Sequence, residues 1–89
     1  MDPRTYATTL LKEWQEYKNI HYSQKTRFSN AVDIEIEKDE VRQLATSLML
    51  GLESELIPES EILFRVTMLE NHLRSLKDML TFELLKNGN

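Results

Sequence analysis

Tyr6, Leu10, Leu11, Trp14 and Tyr17 recur every three or four residues, with Lys12, Glu13 and Glu16 set between them. That is the period of an amphipathic helix. Asp2 can cap its first turn, and Pro3 suits the first helical position because the N–H it lacks would find no partner there. The spacing predicts helix 1 over about residues 3–19, with Asn19 as its stop.

A second stripe of the same period runs through Val41, Leu44, Ala45, Leu48, Leu52 and Leu56, with Asp39 at its head as a cap. It predicts helix 2 over about 39–56. Gly51 lies inside it at a cost of ~1 kcal/mol relative to alanine, which points to close approach by a neighbouring group. Helix 3 is expected over about 58–86: Pro58 opens it, and Glu59 and Glu61 complement the positive end of its dipole. Ile62, Val66, Leu69, Leu73, Leu76 and Leu80 then alternate steps of four and three, a heptad seam. The short link between helices 2 and 3 predicts an antiparallel helical hairpin.

Residues 20–38 read differently. Val32, Ile34 and Ile36 alternate with Asp33, Glu35 and Glu37, the period of a half-buried strand. Tyr22, Gln24, Thr26 and Phe28 could supply its partner, but a turn at Ser29-Asn30 sets Phe28 opposite Ala31 and Val32 opposite Arg27, so the apolar faces disagree. Continuous helix is the rival reading, since neither glycine nor proline interrupts residues 30–50. The expectation is a connection over 20–38 with a short extended segment at 31–37. The fold class expected is therefore all-α: an elongated three-helix bundle forming one domain over residues 1–89.

Helix 3 at about 28 residues would run ~42 Å. A compact chain of this length has a radius of gyration near ~12 Å, so either the bundle is elongated or the end of helix 3 projects. A second apolar set, Leu63, Phe64, Met68, Met79, Phe82 and Leu85, decorates the same helix. Met79, Leu80, Phe82, Leu84 and Leu85 are the expected partner-binding residues, because methionine and phenylalanine at a helix end suit an adaptable interface. The competing reading makes them core, covered by helix 1.

Composition narrows the class of function. With 40% hydrophobic and 29% charged residues and only two glycines and two prolines, few long elements are favoured over many short ones. No cysteine is present, so neither disulfides nor thiolate metal sites reinforce the fold. No apolar run spans a membrane and no signal-peptide core opens the chain, which leads to the expectation of a cytoplasmic protein with no membrane partner. The net charge of −4 argues against a dedicated nucleic-acid binder. The charge is unevenly placed: Asp33, Glu35, Glu37, Asp39 and Glu40 crowd around Lys38 alone, and Glu53, Glu55, Glu59 and Glu61 follow. Such asymmetry orients a docking partner.

Chemistry is sparse. His21 and His72 lack partners at metal-binding spacing, Gly51 and Gly88 are isolated, and no serine or threonine carries a nucleophile signature. The acidic pairs Glu35/Glu37 and Glu59/Glu61 lie in polar segments with nothing to separate their pKa values. No enzyme, cofactor or metal is expected. Lys18, His21, Tyr22, Lys25, Arg27 and Phe28 interleave cations with aromatics as single-strand contacts require. Of these, Lys18, Tyr22, Lys25 and Arg27 are candidate nucleic-acid contacts, expected to act only within a larger complex.

In its length, absence of cysteine, Lys/Glu/Ile/Leu style and three helices, the chain resembles the small accessory subunits of the family-B DNA polymerase of Crenarchaeota. Its Thr5–Asn19 segment, TYATTLLKEWQEYKN, is also similar to the opening aromatic-rich helix of GINS subunits. Glu70–Lys86, ENHLRSLKDMLTFELLK, resembles their terminal helix. It lacks the acidic-Phe-Tyr element expected after helix 1, and the Arg-rich pattern is reduced to Arg74 and Lys77. Both resemblances imply a non-catalytic subunit of a replication complex; the leading expectation is an archaeal accessory subunit that binds a larger replication protein, a DNA polymerase, and modulates its assembly or activity. The alternative is a self-associating regulator or viral inhibitor acting through an acidic surface, for which a homodimer through the heptad seam is expected.

Overall fold

The computed structural model describes the backbone of residues 2–22 and 31–87 and the side chains of residues 2–22 and 32–82. Three helices appear in chain order: α1 (Pro3–His21), α2 (Ala31–Glu53) and α3 (Glu59–Asn87). None of them, among the described residues, is long and apolar enough to cross a membrane.

The start of α1 follows its sequence signals. Asp2 is its N-cap, with extended backbone and a carboxylate that accepts from the amides of Arg4 at 2.9 Å and Thr5 at 3.3 Å. At the other end Asn19 does not stop the helix; it continues to His21, and the Tyr22 amide closes it on the Lys18 carbonyl.

The second helix corrects the sequence reading. Ala31–Glu53 is one unbroken helix, so no extended segment forms at 31–37, and Asp39 lies within the helix rather than capping it. Its carboxylate receives Arg42 and the Gln43 amide, side chains one turn further on. The physical reason is that the core stripe begins earlier than the alternation suggests. Ile34 lies seven residues before Val41, two helical turns, and both are fully buried with Ala45 and Leu48. Val32 and Ile36, which a strand would send to the same side as Ile34, point outward instead.

Helix 2 was also expected to reach Leu56, but α2 ends at Glu53 and Leu56 sits in the turn, 94% exposed. Arg4 holds this turn. Its guanidinium donates to the carbonyls of Leu52, Ser54 and Ile57 at 3.4, 3.3 and 2.9 Å. Those contacts supply donors and positive charge where the end of a helix presents unpaired carbonyls.

Cross-helix contacts define the topology. Glu37 meets His72, the Ser47 carbonyl accepts from Arg65, and Gly51 abuts Ile62, so numbers fall along α3 as they rise along α2. The two helices form the expected antiparallel hairpin. Tyr6 pairs with Glu70 and Glu13 with Lys77, so α1 runs parallel to α3 and alongside its C-terminal half. The result is an up-down-up bundle measuring 49 × 22 × 19 Å, with a radius of gyration of 14.4 Å.

The heptad seam of α3 is the centre of the core. Ile62, Val66, Leu69, Leu73 and Leu76 are buried against Ala7, Leu10, Leu11 and Trp14 of α1 and the α2 stripe. Gly51 permits the hairpin's close approach: a Cβ there would stand 3.0 Å from Arg65 Nη1 and 3.2 Å from Ile62 Cδ1.

Candidate functional site

The cation-aromatic segment proves partly structural. Tyr22 is half-buried; its hydroxyl accepts from Trp14 Nε1 at 3.3 Å and donates to the Lys38 carbonyl at 3.0 Å. Burial pushes its hydroxyl above the ordinary tyrosine range. Lys38 lies buried beneath, its ammonium 3.1 Å from Glu35 and 5.6 Å from the Tyr22 ring centre. This knot ties the end of α1 to α2. Lys18 lies over the Trp14 ring at 4.8 Å, and His21 stacks on Tyr17 at 4.4 Å. Lys25, Arg27 and Phe28 lie outside the described residues. Of the candidate nucleic-acid contacts, Lys18 and Tyr22 therefore pack against the bundle, each half-buried.

Among the described residues, the expected anchors at the end of α3 differ in burial. Met79 and Leu80 are half-buried and packed against the core. Phe82 is 63% exposed, and the side chains of Leu84 and Leu85 lie outside the described residues. Leu80 continues the line of the buried seam, while Phe82 turns away from it, as steps of 100° per residue dictate.

The carboxylates that composition drew together are separated by the helix. Glu37 faces α3, where its Oε1 lies 2.8 Å from His72 Nδ1, whereas Glu35 turns outward to Lys38. Glu61 pairs with Arg65 at 3.2 Å. Among the described residues no group of three or more acidic or histidine side chains could hold a metal ion.

The outer face of α2 is the surface that the sequence pattern disguised. Val32 and Ile36 stand one turn apart, 73% and 62% exposed, beside Glu35, Asp39 and Glu40. These five residues line an open recess on the outside of the bundle. Hydrogen bonds from Arg42 and Gln43 hold the Asp39 carboxyl below the usual range. The signal was present in the sequence: extending the Val41 stripe backwards selects Ile34 for the core and leaves Val32 and Ile36 outside. The alternation masked it because a period of two and a period of 3.6 both accept an isolated apolar residue at position 34.

Compared with known protein families, characterised proteins and solved structures, the chain matches none.

Proposed function

We propose that this chain is a non-catalytic helical accessory subunit that docks onto a larger protein of DNA replication, a DNA polymerase, and modulates its assembly or activity. The replication context comes from the resemblance of its aromatic-rich first helix and its closing helix to replication subunits. The docking role is supported by one observation above the others: a closed core leaves Val32 and Ile36 exposed one turn apart on a face lined with carboxylates. Isolated apolar residues on a surface are ordinary. Two β-branched residues one helical turn apart, framed by acids, present an apolar contact whose surroundings select a basic partner surface.

On this reading Val32 and Ile36 supply the apolar contact, and Asp33, Asp39 and Glu40 set its orientation. Lys18 lies at the opposite end of the knot and could meet nucleic acid only where the partner presents it.

Co-purification of the tagged chain with the replicative DNA polymerase of the same organism tests this. The double variant Val32→Ser/Ile36→Ser should lose the polymerase while its circular dichroism stays helical, because neither side chain enters the core. Retention of the polymerase by the double variant would refute the assigned face. Absence of the polymerase from the wild-type complex would refute the assigned partner.

A further inference from the structure

We infer that the outer face of α2 receives one α-helix of the docking partner, laid along it from Val32 to Leu50 and carrying lysine or arginine opposite Asp33 and Glu40. The inference rests on the docking face assigned above and names what occupies it. Among the described residues, Val32, Ile36 and Leu50 are the large apolar side chains that α2 leaves exposed, at 73%, 62% and 59%. All three fall on one line. Leu50 stands 18 residues beyond Val32, five turns of 3.6, and Ile36 lies within ~40° of that line. The buried stripe of Ile34, Val41, Ala45 and Leu48 leaves this side of the helix unused by the bundle.

The steps along the line are those of a helix seam. Val32, Ile36, Asp39, Gln43, Thr46 and Leu50 follow one another at four, three, four, three and four residues. That spacing keeps one face turned toward a second helix crossing at ~20°. A short loop seated at Val32 and Ile36 would leave Leu50, ~21 Å further along, without a contact, whereas a helix of five turns reaches it. The polar middle of the seam is already supplied with partners. Gln43 Nε2 donates to Asp39 Oδ2 at 2.7 Å, Arg42 pairs with the same carboxylate, and the Thr46 hydroxyl donates to the Arg42 carbonyl at 3.0 Å. These groups hold their hydrogen bonds inside α2, so a helix laid over them does not strand them.

Charge selects the occupant. Asp33 and Glu40 lie one heptad apart on the same side of the seam, and neither makes an ion pair among the described residues. In paired helices such flanking positions choose the partner through interhelical ion pairs. The cations of this stretch are already engaged: Lys38 is buried against Glu35, and Arg42 is held by Asp39. The same strip of a second copy therefore brings no cation for Asp33 or Glu40. Nucleic acid would add phosphates to a face of carboxylates, which repels it. A protein helix with lysine or arginine one heptad apart matches both the line and the charge.

The probe is a synthetic helix of about 20 residues, ~30 Å long, with leucine at alternating steps of four and three and lysine on both flanks. Its twin carries glutamate in place of lysine. Fluorescence anisotropy should show the lysine peptide binding the chain about tenfold or more tightly than the twin. Leu50→Ser and Val32→Ser/Ile36→Ser should each weaken that binding about tenfold or more, the loss that follows from uncovering aliphatic side chains. Phe82→Ser, at a residue just as exposed on α3, should change nothing. Equal binding of the two peptides, no binding, or binding indifferent to Leu50→Ser overturns the helix. So does a dimer of the chain in sedimentation velocity that Leu50→Ser dissolves, since that gives the face to a second copy.

Polymerase capture separates this inference from the assignment it rests on. Leu50→Ser should release the polymerase as Val32→Ser/Ile36→Ser does. Capture lost only with Val32→Ser/Ile36→Ser refutes the helix and keeps the docking face. Wild-type chain that binds the lysine peptide but no polymerase refutes the partner and keeps the helix.

Discussion

Arg4 shows how much one side chain can do at a junction. It is the fourth residue of the chain, yet its guanidinium reaches three carbonyls at the turn between α2 and α3, more than forty positions away. The planar fork suits several acceptors at once; an ammonium is a single point of charge. Arg4→Ala should lower the unfolding free energy by about 1–3 kcal/mol, the range for a charge-assisted contact whose acceptors are left unsatisfied. Arg4→Lys should recover less than half of that, as urea denaturation will show. Tyr17 makes a second residue-scale case. Burial pushes its hydroxyl up to about 12 from an ordinary value of 10.0. A folded-state value above the unfolded one means that the folded chain holds the proton longer. Its contribution is therefore complete below pH 10 and is lost as pH rises through 12. Tyr17→Phe should flatten the alkaline limb of a stability–pH curve and leave neutral pH untouched. Neither role was legible in the sequence, where Arg4 is one basic residue in a first turn and Tyr17 one member of a stripe.

At the scale of elements, α1 and α3 were legible because period and capping agree. Asp2-Pro3 and Pro58-Glu59 mark starts, and the stripes between them admit no other period. The beginning of α2 was not, because the local pattern at 31–37 obeys a strand's period while the wider stripe obeys a helix's. Packing decides such a conflict: only the helix places Ile34 in line with Val41, Ala45 and Leu48 without a partner strand. Lys38 completes the same stripe. Its stem lies in the core while its ammonium reaches Glu35, so a charge in the sequence concealed a buried position. The two readings differ measurably. Ile34→Ala should cost about 2–5 kcal/mol as a core truncation, whereas Val32→Ala and Ile36→Ala should each stay within about 0.5 kcal/mol as surface changes. A strand with one buried face would make all three comparably costly. The end of α2 at Glu53 was hidden for another reason, since the group that holds the turn comes from α1.

For the molecule as a whole, the length of α3 set the problem that the topology solves. A helix of 29 residues needs support along its length, and an up-down-up arrangement gives it α2 on one side and α1 beside its C-terminal half. The sequence indicated an elongated bundle with a surplus of apolar residues on α3. It did not indicate which of them face outward, because that depends on which side of α3 each neighbour occupies. Met79 and Leu80 thereby pack half-buried against the core, Phe64 and Phe82 remain outside, and the acidic strip on α2 takes over as the proposed docking face. Amide hydrogen exchange of the chain, alone and in complex with the replicative DNA polymerase of the same organism, decides whether that face docks. Slowed exchange is expected in the peptides covering residues 32–40, with the 3–11 segment of α1 unchanged. Complex formation with no added protection over 32–40, or with protection confined to α1, would contradict the assignment.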